Sequence, residues 1–213
     1  MKTNTDRLFL SSLILIGTLV YGMSPSDASA GEFSAEQMRK MGIFLSNFTE
    51  CNYTTISRRE FIDKPDEMVN FALCHNWINN FRSFTLKNSC GKEKTDGNYF
   101  AHLDPKNVEK TVKKYLDYDF SAHQGHGDYI VYDGYTYCIP AADGEQHPAV
   151  KVVSADRQED GTILVKGSSY YPDSEEDADD NINVKAVIKP YVWNGKDTWS
   201  LVSMNMEPKA FPD

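Results

Sequence analysis

The chain is poor in positive charge and contains no run of basic residues. Across 213 residues, 22 lysines and arginines stand against 31 aspartates and glutamates, which gives a net charge of −9. Proteins that bind nucleic acids or anionic membranes need a basic patch, so both kinds of partner are disfavoured. The acidic balance favours a neutral or basic partner instead.

Sequence motifs for catalysis and metal binding are also missing. The chain has no CxxC pair, no HExxH and no GxSxG, which are the patterns of zinc or redox sites, helical zinc enzymes and serine hydrolases. We therefore expect no cofactor, and a binding role rather than catalysis. The composition itself is ordinary, with 40% hydrophobic, 12% aromatic and 25% charged residues, which excludes a disordered or multi-span membrane protein.

A hydrophobic run long enough to span a bilayer is absent too. The apolar run at residues 8–23 (LFLSSLILIGTLVYGM) has 16 residues, fewer than the roughly 20 that a spanning helix needs. It follows a basic start and precedes the sequence ASA at 28–30, the pattern of a secretory signal that is cleaved after Ala30. We expect residues 31–213 to be secreted or periplasmic, without a stable membrane anchor. An uncleaved anchor is the alternative.

Cysteine is scarce, but its count is even. Cys51, Cys74, Cys90 and Cys138 all follow the signal. An even number in an exported chain favours disulfides, with three possible pairings. The turn-rich residues 88–91 (NSCG) could fold Cys90 back onto the segment of Cys74, so we expect a Cys74–Cys90 bond. A buried free thiol on a helix is the alternative.

Helix signals come first along the predicted mature chain. Ser34 with Gln37 forms a capping box at the start of one helix. Pro65 opens a second helix, and Asp104 followed by a proline opens a third. In the third helix we expect the lysines to face solvent: Lys110, Lys113 and Lys114.

After residue 120 the pattern changes to β-rich segments separated by tight turns, among them Asp133-Gly134 and Asn194-Gly195. The segments are residues 129–132, 135–139, 150–155, 162–171, 183–189 and 198–206. Consecutive strands joined by tight turns form an antiparallel meander. We therefore expect one α+β domain at 31–213, with N-terminal helices (about 31–120) packed on a C-terminal antiparallel sheet (about 121–213).

Two segments carry a resemblance to a known family. Residues 44–50 (FLSNFTE) and 71–80 (FALCHNWINN) resemble segments of uncharacterised exported proteins and lipoproteins of anaerobic bacteria. The resemblance implies no activity and no catalytic residue. The order of helices followed by long antiparallel strands is similar to cone-shaped NTF2-like or cystatin-like folds, a likeness of fold that says little about function.

The second helix carries a polar cluster. His75 and Asn79 are four residues apart, as are Asn76 and Asn80, so each pair shares a helix face. Such side chains could line the mouth of a pocket between helices and sheet, where Asn76 and Asn79 would contact a ligand. The alternative is a helix end whose polar side chains bond neighbouring loops.

Two histidines lie in the segment 123–128 (HQGHGD). His123 and His126, with the following aspartate, could ligate a transition metal. Together with His75 they are also the candidates for a catalytic acid or base. The glycines favour the alternative, which is a flexible loop leading into the first hairpin.

Residues 173–180 hold six carboxylates in eight positions, among them Asp173, Asp177 and Asp179. Dense oxygen ligands could bind Ca²⁺. The spacing is not that of an EF-hand, however, and no glycine supplies the turn. We therefore expect a solvated acidic loop rather than a metal site.

Tyrosines on the first hairpin complete the set of candidates. The rings of Tyr132 and Tyr135 suit contact with a protein or a sugar, with ordinary sheet packing as the alternative. We expect a secreted or periplasmic binding module for a protein, peptide or sugar ligand. The alternatives are a small hydrolase or isomerase that uses a histidine in a helix–sheet pocket, and a calcium-dependent structural protein.

Overall fold

The structure, a computed structural model, describes residues 32–91, 93–94, 99–127, 129–141, 147–172 and 182–208. These residues belong to one unit that spans Gly31–Asp213. The predicted signal at 1–30 with its cleavage site at Ala30 lies outside the described residues. So do Asp128 and the acidic segment that contains Asp173, Asp177 and Asp179.

The described chain contains the helices α1 (Ala35–Thr49), α2 (Arg58–Asp63), α3 (Pro65–Asn79) and α4 (Pro105–Leu116), with a 3-10 turn at Phe81–Ser83. Helices α1, α3 and α4 begin where the sequence predicts, whereas α2 is not among the predicted helices. The capping box of α1 is complete, because Ser34 Oγ accepts from Gln37 N at 3.2 Å and Gln37 Oε1 accepts from Ser34 N at 2.8 Å. Asp104 caps α4 by accepting from the Lys106 amide at 2.8 Å. Each cap satisfies amide groups that a helix start leaves unpaired.

The strands of the described chain form antiparallel sheets. In chain order they are β1 (Thr55–Ser57), β2 (Phe84–Lys87), β3 (Ser89–Cys90), β4 (Glu93–Lys94), β5 (Phe100–Leu103), β6 (Val131–Tyr132), β7 (Tyr137–Pro140), β8 (Ala149–Arg157), β9 (Ile163–Tyr170), β10 (Ile182–Trp193) and β11 (Lys196–Pro208). The larger sheet has the order β1-β11-β10-β9-β8, and a smaller one has the order β2-β5-β7-β6. The helices lie mainly in the first part of the described chain, the long strands follow them, and the strands pair antiparallel. The fold is therefore α+β, as predicted.

The predicted meander is the larger sheet. Strands β8 to β11 are consecutive neighbours, and the β10–β11 turn places Asn194 and Gly195 at φ 50° and 73°. Asparagine and glycine are the residues that adopt such left-handed conformations at least cost. None of the helices within the described ranges combines the length and hydropathy of a membrane span.

Strands also form before residue 120, where the sequence predicts helices. β1 pairs with β11, β2 pairs with β5, and β5 in turn pairs with β7. The predicted first hairpin, which pairs Tyr132 with Tyr137, therefore belongs to the smaller sheet rather than to the meander. These early strands have only three or four residues each, too few to show a period-2 pattern, and they depend on partners far along the chain.

The disulfides confirm the expectation from the even cysteine count, but the expected Cys74–Cys90 bond is wrong. Cys51 bonds Cys74, which joins the end of α1 to α3 with 5.8 Å between the Cα atoms. Cys90 bonds Cys138, which joins β3 to β7 with 5.9 Å between the Cα atoms. The chain after α3 enters the smaller sheet, so Cys90 lies beside β7, while Cys74 faces the end of α1.

The core lies between α1, α3, α4 and the larger sheet. The rings of Phe48 and Phe71 stack with 4.7 Å between centroids, and Tyr115 contacts both rings edge-on. Helix α1 lies close against β8, where the Val150 amide donates to Ser46 Oγ at 2.9 Å. This packing fixes α3 between two open cavities.

Candidate functional site

Helix α3 presents different side chains to two cavities. Positions three or four apart share a face of a helix, and Asn70, Cys74 and Trp77 line one cavity. The side chains of His75, Asn76 and Asn79 line the other. Ile78 is the one described residue that the two linings have in common.

The first cavity, which we call the disulfide groove, has a volume of about 720 Å³ and is bordered by the Cys51–Cys74 bond. Its walls are mainly apolar and come from segments that are distant in sequence. They include Leu73, Trp77 and Ile78 of α3, Tyr129 and Ile130 of the loop before β6, and Ile139 of β7. The ring of Tyr129 is 56% exposed. The groove thus combines apolar walls with open access from solvent.

Two carboxylates give the disulfide groove its charge. Glu67 Oε2 accepts from Tyr53 Oη at 2.9 Å, and Glu50 Oε2 accepts from Asn79 Nδ2 at 3.0 Å. Burial, with the Glu67 carboxylate beside it, raises the pKa of the Tyr53 hydroxyl well above its usual value, so the hydroxyl keeps its proton and stays a donor. Neither lysine nor arginine occurs among the described lining residues.

The second cavity, which we call the polar pocket, has a volume of about 780 Å³. It lies between the end of α3, the 3-10 turn, α4 and the end of β10. The predicted cluster of His75, Asn76 and Asn79 contributes to its lining. Its lining also includes Asn80, Arg82, Asn107, Lys110, Lys114 and Trp193.

His75 is a buried, neutral side chain in the wall of the polar pocket. It is 3% exposed, and its ring lies 4.7 Å from that of Tyr115 between centroids. Burial and, second, the charge of Lys114 lower its pKa from 6.5 to about 4. Its Nδ1 lies 3.3 Å from Asn79 Nδ2 and accepts the amide hydrogen bond. A pKa so far below neutrality is unsuited to acid–base catalysis at physiological pH.

Asn76 fits the alternative interpretation, in which the polar side chains near the end of α3 form hydrogen bonds within the protein. Its Nδ2 donates to Ala72 O and to Thr111 Oγ1, each at 2.8 Å, and it is buried. The bond to Thr111 connects α3 to α4, and both residues line the polar pocket. Asn76 therefore positions the pocket walls, whatever contact it makes with a ligand.

The helical pattern predicts that the lysines of α4 face solvent: Lys110 is exposed, as predicted, whereas Lys114 is half-buried. Their Nζ atoms lie 5.9 Å and 5.6 Å from the centroid of the Trp193 ring. Lys114 Nζ also donates to Tyr115 Oη at 3.1 Å. Sequence analysis missed this arrangement because Trp193 ends a strand that lies far from α4 in the chain.

His123 and His126 contact two different carboxylates. His123 Nε2 lies 3.0 Å from Glu109 Oε1 and its Nδ1 lies 3.0 Å from Tyr137 Oη. His126 Nδ1 lies 3.4 Å from Asp66 Oδ2. Neither histidine is among the described residues that line the two cavities. Within the described ranges, no group of three or more His, Cys, Asp or Glu residues could hold a metal ion.

The tyrosines of the first hairpin have different surroundings. Tyr132 packs on Tyr137 with 4.8 Å between centroids, and its hydroxyl donates to Gly134 O. Tyr135 is 84% exposed at the hairpin turn. Neither belongs to the described lining of either cavity. Tyr129, just before the same hairpin, lines the disulfide groove instead, and only the tertiary fold distinguishes it from the other two.

Comparison with known proteins adds no relative. No protein-family model matches the chain, and neither a curated protein nor a solved structure matches it. The resemblance to exported proteins of anaerobic bacteria, and that to NTF2-like or cystatin-like folds, therefore stay predictions.

Proposed function

We propose that the protein is a binding module that takes up apolar side chains of a neutral or basic peptide in the disulfide groove. One observation carries the proposal. A groove of about 720 Å³ has mainly apolar walls from α3, from β7, from the segment that follows α1 and from the loop before β6, with two carboxylates and neither lysine nor arginine in its described lining. A concave, mostly apolar site with a few fixed polar groups is the usual form of a binding site.

The groove is built on fixed elements. The Cys51–Cys74 disulfide ties the end of α1 to the middle of α3, and Ile139 lies on a paired strand. A wall that does not have to order itself on binding lowers the entropic cost of association. Tyr129 and Trp77 supply aromatic surface, and such residues dominate the affinity of most peptide and protein interfaces.

The negative charge of the groove determines which class of peptide it should bind. Glu50 and Glu67 line the groove, and the whole chain carries a net charge of −9. Lysine or arginine beside the apolar residue of a ligand would meet these carboxylates, whereas an acidic residue would be repelled. The proposal therefore specifies a neutral or basic sequence around the apolar anchor.

None of the predicted catalytic candidates His75, His123 and His126 is among the described residues that line the disulfide groove, which supports binding there over hydrolysis or isomerisation; the histidine of its described lining is His147. His75 lines a cavity, but its pKa is about 4 and its Nδ1 faces an amide. His123 contacts a carboxylate, but its other nitrogen bonds the fully buried Tyr137. A catalytic histidine needs both a suitable pKa and access to substrate.

Export is part of the same proposal. The signal-like residues 1–30 and the two disulfides both fit a periplasmic or extracellular protein. In that setting the groove would meet peptides or proteins outside the cytoplasm. N-terminal sequencing of secreted protein that starts at Gly31 would agree with this location, and an intact Met1 in the membrane fraction would contradict it.

The test uses a matched pair of peptides and a matched pair of variants. One peptide carries a Leu-Phe pair flanked by lysines, and the other carries the same pair flanked by glutamates. Titration calorimetry should give an affinity for the lysine peptide at least about tenfold higher, because the glutamates would face Glu50 and Glu67. Equal affinity for both peptides, or none for either, would contradict the proposal.

Two variants test whether the peptide binds in the disulfide groove. Tyr129→Ala removes an exposed ring from the groove. It should lower the affinity for the lysine-flanked peptide by about fivefold to thirtyfold, the usual effect of losing an aromatic anchor. Tyr135→Ala removes an even more exposed ring that does not line the groove, and it should leave affinity unchanged. Equal losses in both variants would mean that binding is not in the groove.

A further inference from the structure

Three cations gather in the polar pocket without a carboxylate partner. Arg82, Lys110 and Lys114 line it, and among the described residues none of them lies in an ion pair. The neighbouring Lys113 is different, because its Nζ pairs with Asp117 at 2.9 Å and with Asp119 at 3.3 Å. In a chain with nine more acidic than basic residues, three unpaired cations in one cavity require an explanation.

Two of these cations repel each other in the free protein, and their contacts with the Trp193 ring offset part of this repulsion. Lys110 and Lys114 are one helical turn apart, and like charges at this spacing repel each other. Both Nζ atoms lie within 6 Å of the Trp193 centroid, so they share one small region. Burial, and then the charge of Lys110, lower the pKa of Lys114. A bound anion would relieve both the repulsion and the loss of hydration.

The remaining lining indicates what else the anion carries. The side-chain amides of Asn80 and Asn107 each offer a donor and an acceptor, the combination that sugar hydroxyls need. The cavity of about 780 Å³ is far larger than an inorganic anion requires. Trp193 adds an aromatic surface beside the lysines, and such amphipathic rings suit contact with a sugar.

We propose that the polar pocket binds a short acidic saccharide, with its carboxylates at Arg82, Lys110 and Lys114 and its hydroxyls at the asparagine amides. The saccharide is short because the overall net charge of −9 repels an extended polyanion. The site is separate from the disulfide groove, with Ile78 alone common to both described linings. Failure of either proposal therefore leaves the other intact.

Trigalacturonic acid is the probe, and maltotriose is its neutral counterpart of the same length. Titration calorimetry on the wild-type protein should detect saturable binding of trigalacturonic acid that weakens as salt is added, and no binding of maltotriose. The double variant Lys110→Gln/Lys114→Gln should lose affinity by at least about tenfold, because two charged donors are removed. Lys110→Gln alone removes an exposed charge, so it gives a smaller loss without risk to the fold.

Lys113→Gln is the matched control, since it removes the same charge from the same helix outside the pocket. The affinity of Lys113→Gln for trigalacturonic acid should stay within about twofold of the wild-type value. The proposal is overturned if trigalacturonic acid does not bind, if maltotriose binds equally well, or if Lys113→Gln loses as much affinity as Lys110→Gln. Complete displacement by sulfate at equal concentration would also overturn it, because the pocket would then recognise charge alone.

Discussion

The amide of Asn79 donates to the carboxylate of Glu50 at 3.0 Å, and this bond lies between the two cavities. Glu50 lines the disulfide groove and Asn79 lines the polar pocket. The Cys51–Cys74 disulfide joins the same two elements, the end of α1 and helix α3. The two cavities therefore share a hydrogen-bonded boundary, beside the disulfide that borders the groove.

The first prediction concerns this boundary. Asn79→Asp replaces the donor with a second carboxylate beside Glu50, so the free energy of unfolding should fall by about 1 kcal/mol or more. Urea unfolding measures the change. Asn80→Asp adds the same charge at the next, exposed position and should change the value by less than about 0.5 kcal/mol. Equal effects from the two variants would show that the bond contributes nothing.

The second prediction concerns the disulfide connectivity. Proteolysis of the unreduced protein followed by mass spectrometry should yield fragments that link Cys51 to Cys74 and Cys90 to Cys138. The double variant Cys51→Ser/Cys74→Ser opens a loop with a sequence separation of 23, and it should lose about 3 kcal/mol in the chain-entropy model. A fragment that links Cys74 to Cys90 would refute this connectivity.

The third prediction concerns pH. Because His75 has a pKa of about 4 in the folded protein against 6.5 ordinarily, the unfolded chain binds the extra proton between these values. His75 should therefore make stability fall as pH drops from 6.5 towards 4, and contribute no pH dependence above 6.5. In an NMR titration the carbon-bound ring protons of His75 should shift only near pH 4. A midpoint near 6.5 would contradict the burial of this ring.

The fourth prediction concerns the packing of α1 against β8. A Cβ at Gly42 would lie 2.5 Å from the carbonyl oxygen of Val150, closer than real Cβ atoms approach. Gly42→Ala should therefore destabilise the protein by about 1–3 kcal/mol, although alanine favours a helix. Ile43→Ala, at a 53% exposed position one residue on, should cost less than about 1 kcal/mol. A stabilised Gly42→Ala protein would contradict the close packing.

Local signals in the sequence were sufficient for the starts of α1, α3 and α4 and for several turns. The Ser34–Gln37 capping box and the Asn194-Gly195 turn depend only on neighbouring residues, and both occur as predicted. The cysteine pairing failed because it depends on the path of the chain between Cys74 and Cys90. No local pattern reveals that this path enters a second sheet.

The candidate site was predictable only in part. The helical spacing of His75 and Asn79 correctly places them on one face, and that face lines a cavity. The cations of the pocket could not be predicted, because Lys110 and Lys114 resemble any solvated lysines until Trp193 is brought beside them. The disulfide groove has the same origin, since Ile139 and Trp77 meet only in the folded chain.

The central claim is that the disulfide groove is the peptide site, and one NMR spectrum tests it most directly. The chain has three tryptophans: Trp77 lines the groove, Trp193 lines the polar pocket, and Trp199 packs against Phe44. On titration with the lysine-flanked Leu-Phe peptide, the indole N–H resonance of Trp77 should shift progressively to saturation while the other two stay in place. A saturable shift of Trp193 or Trp199 with Trp77 unmoved would contradict the account.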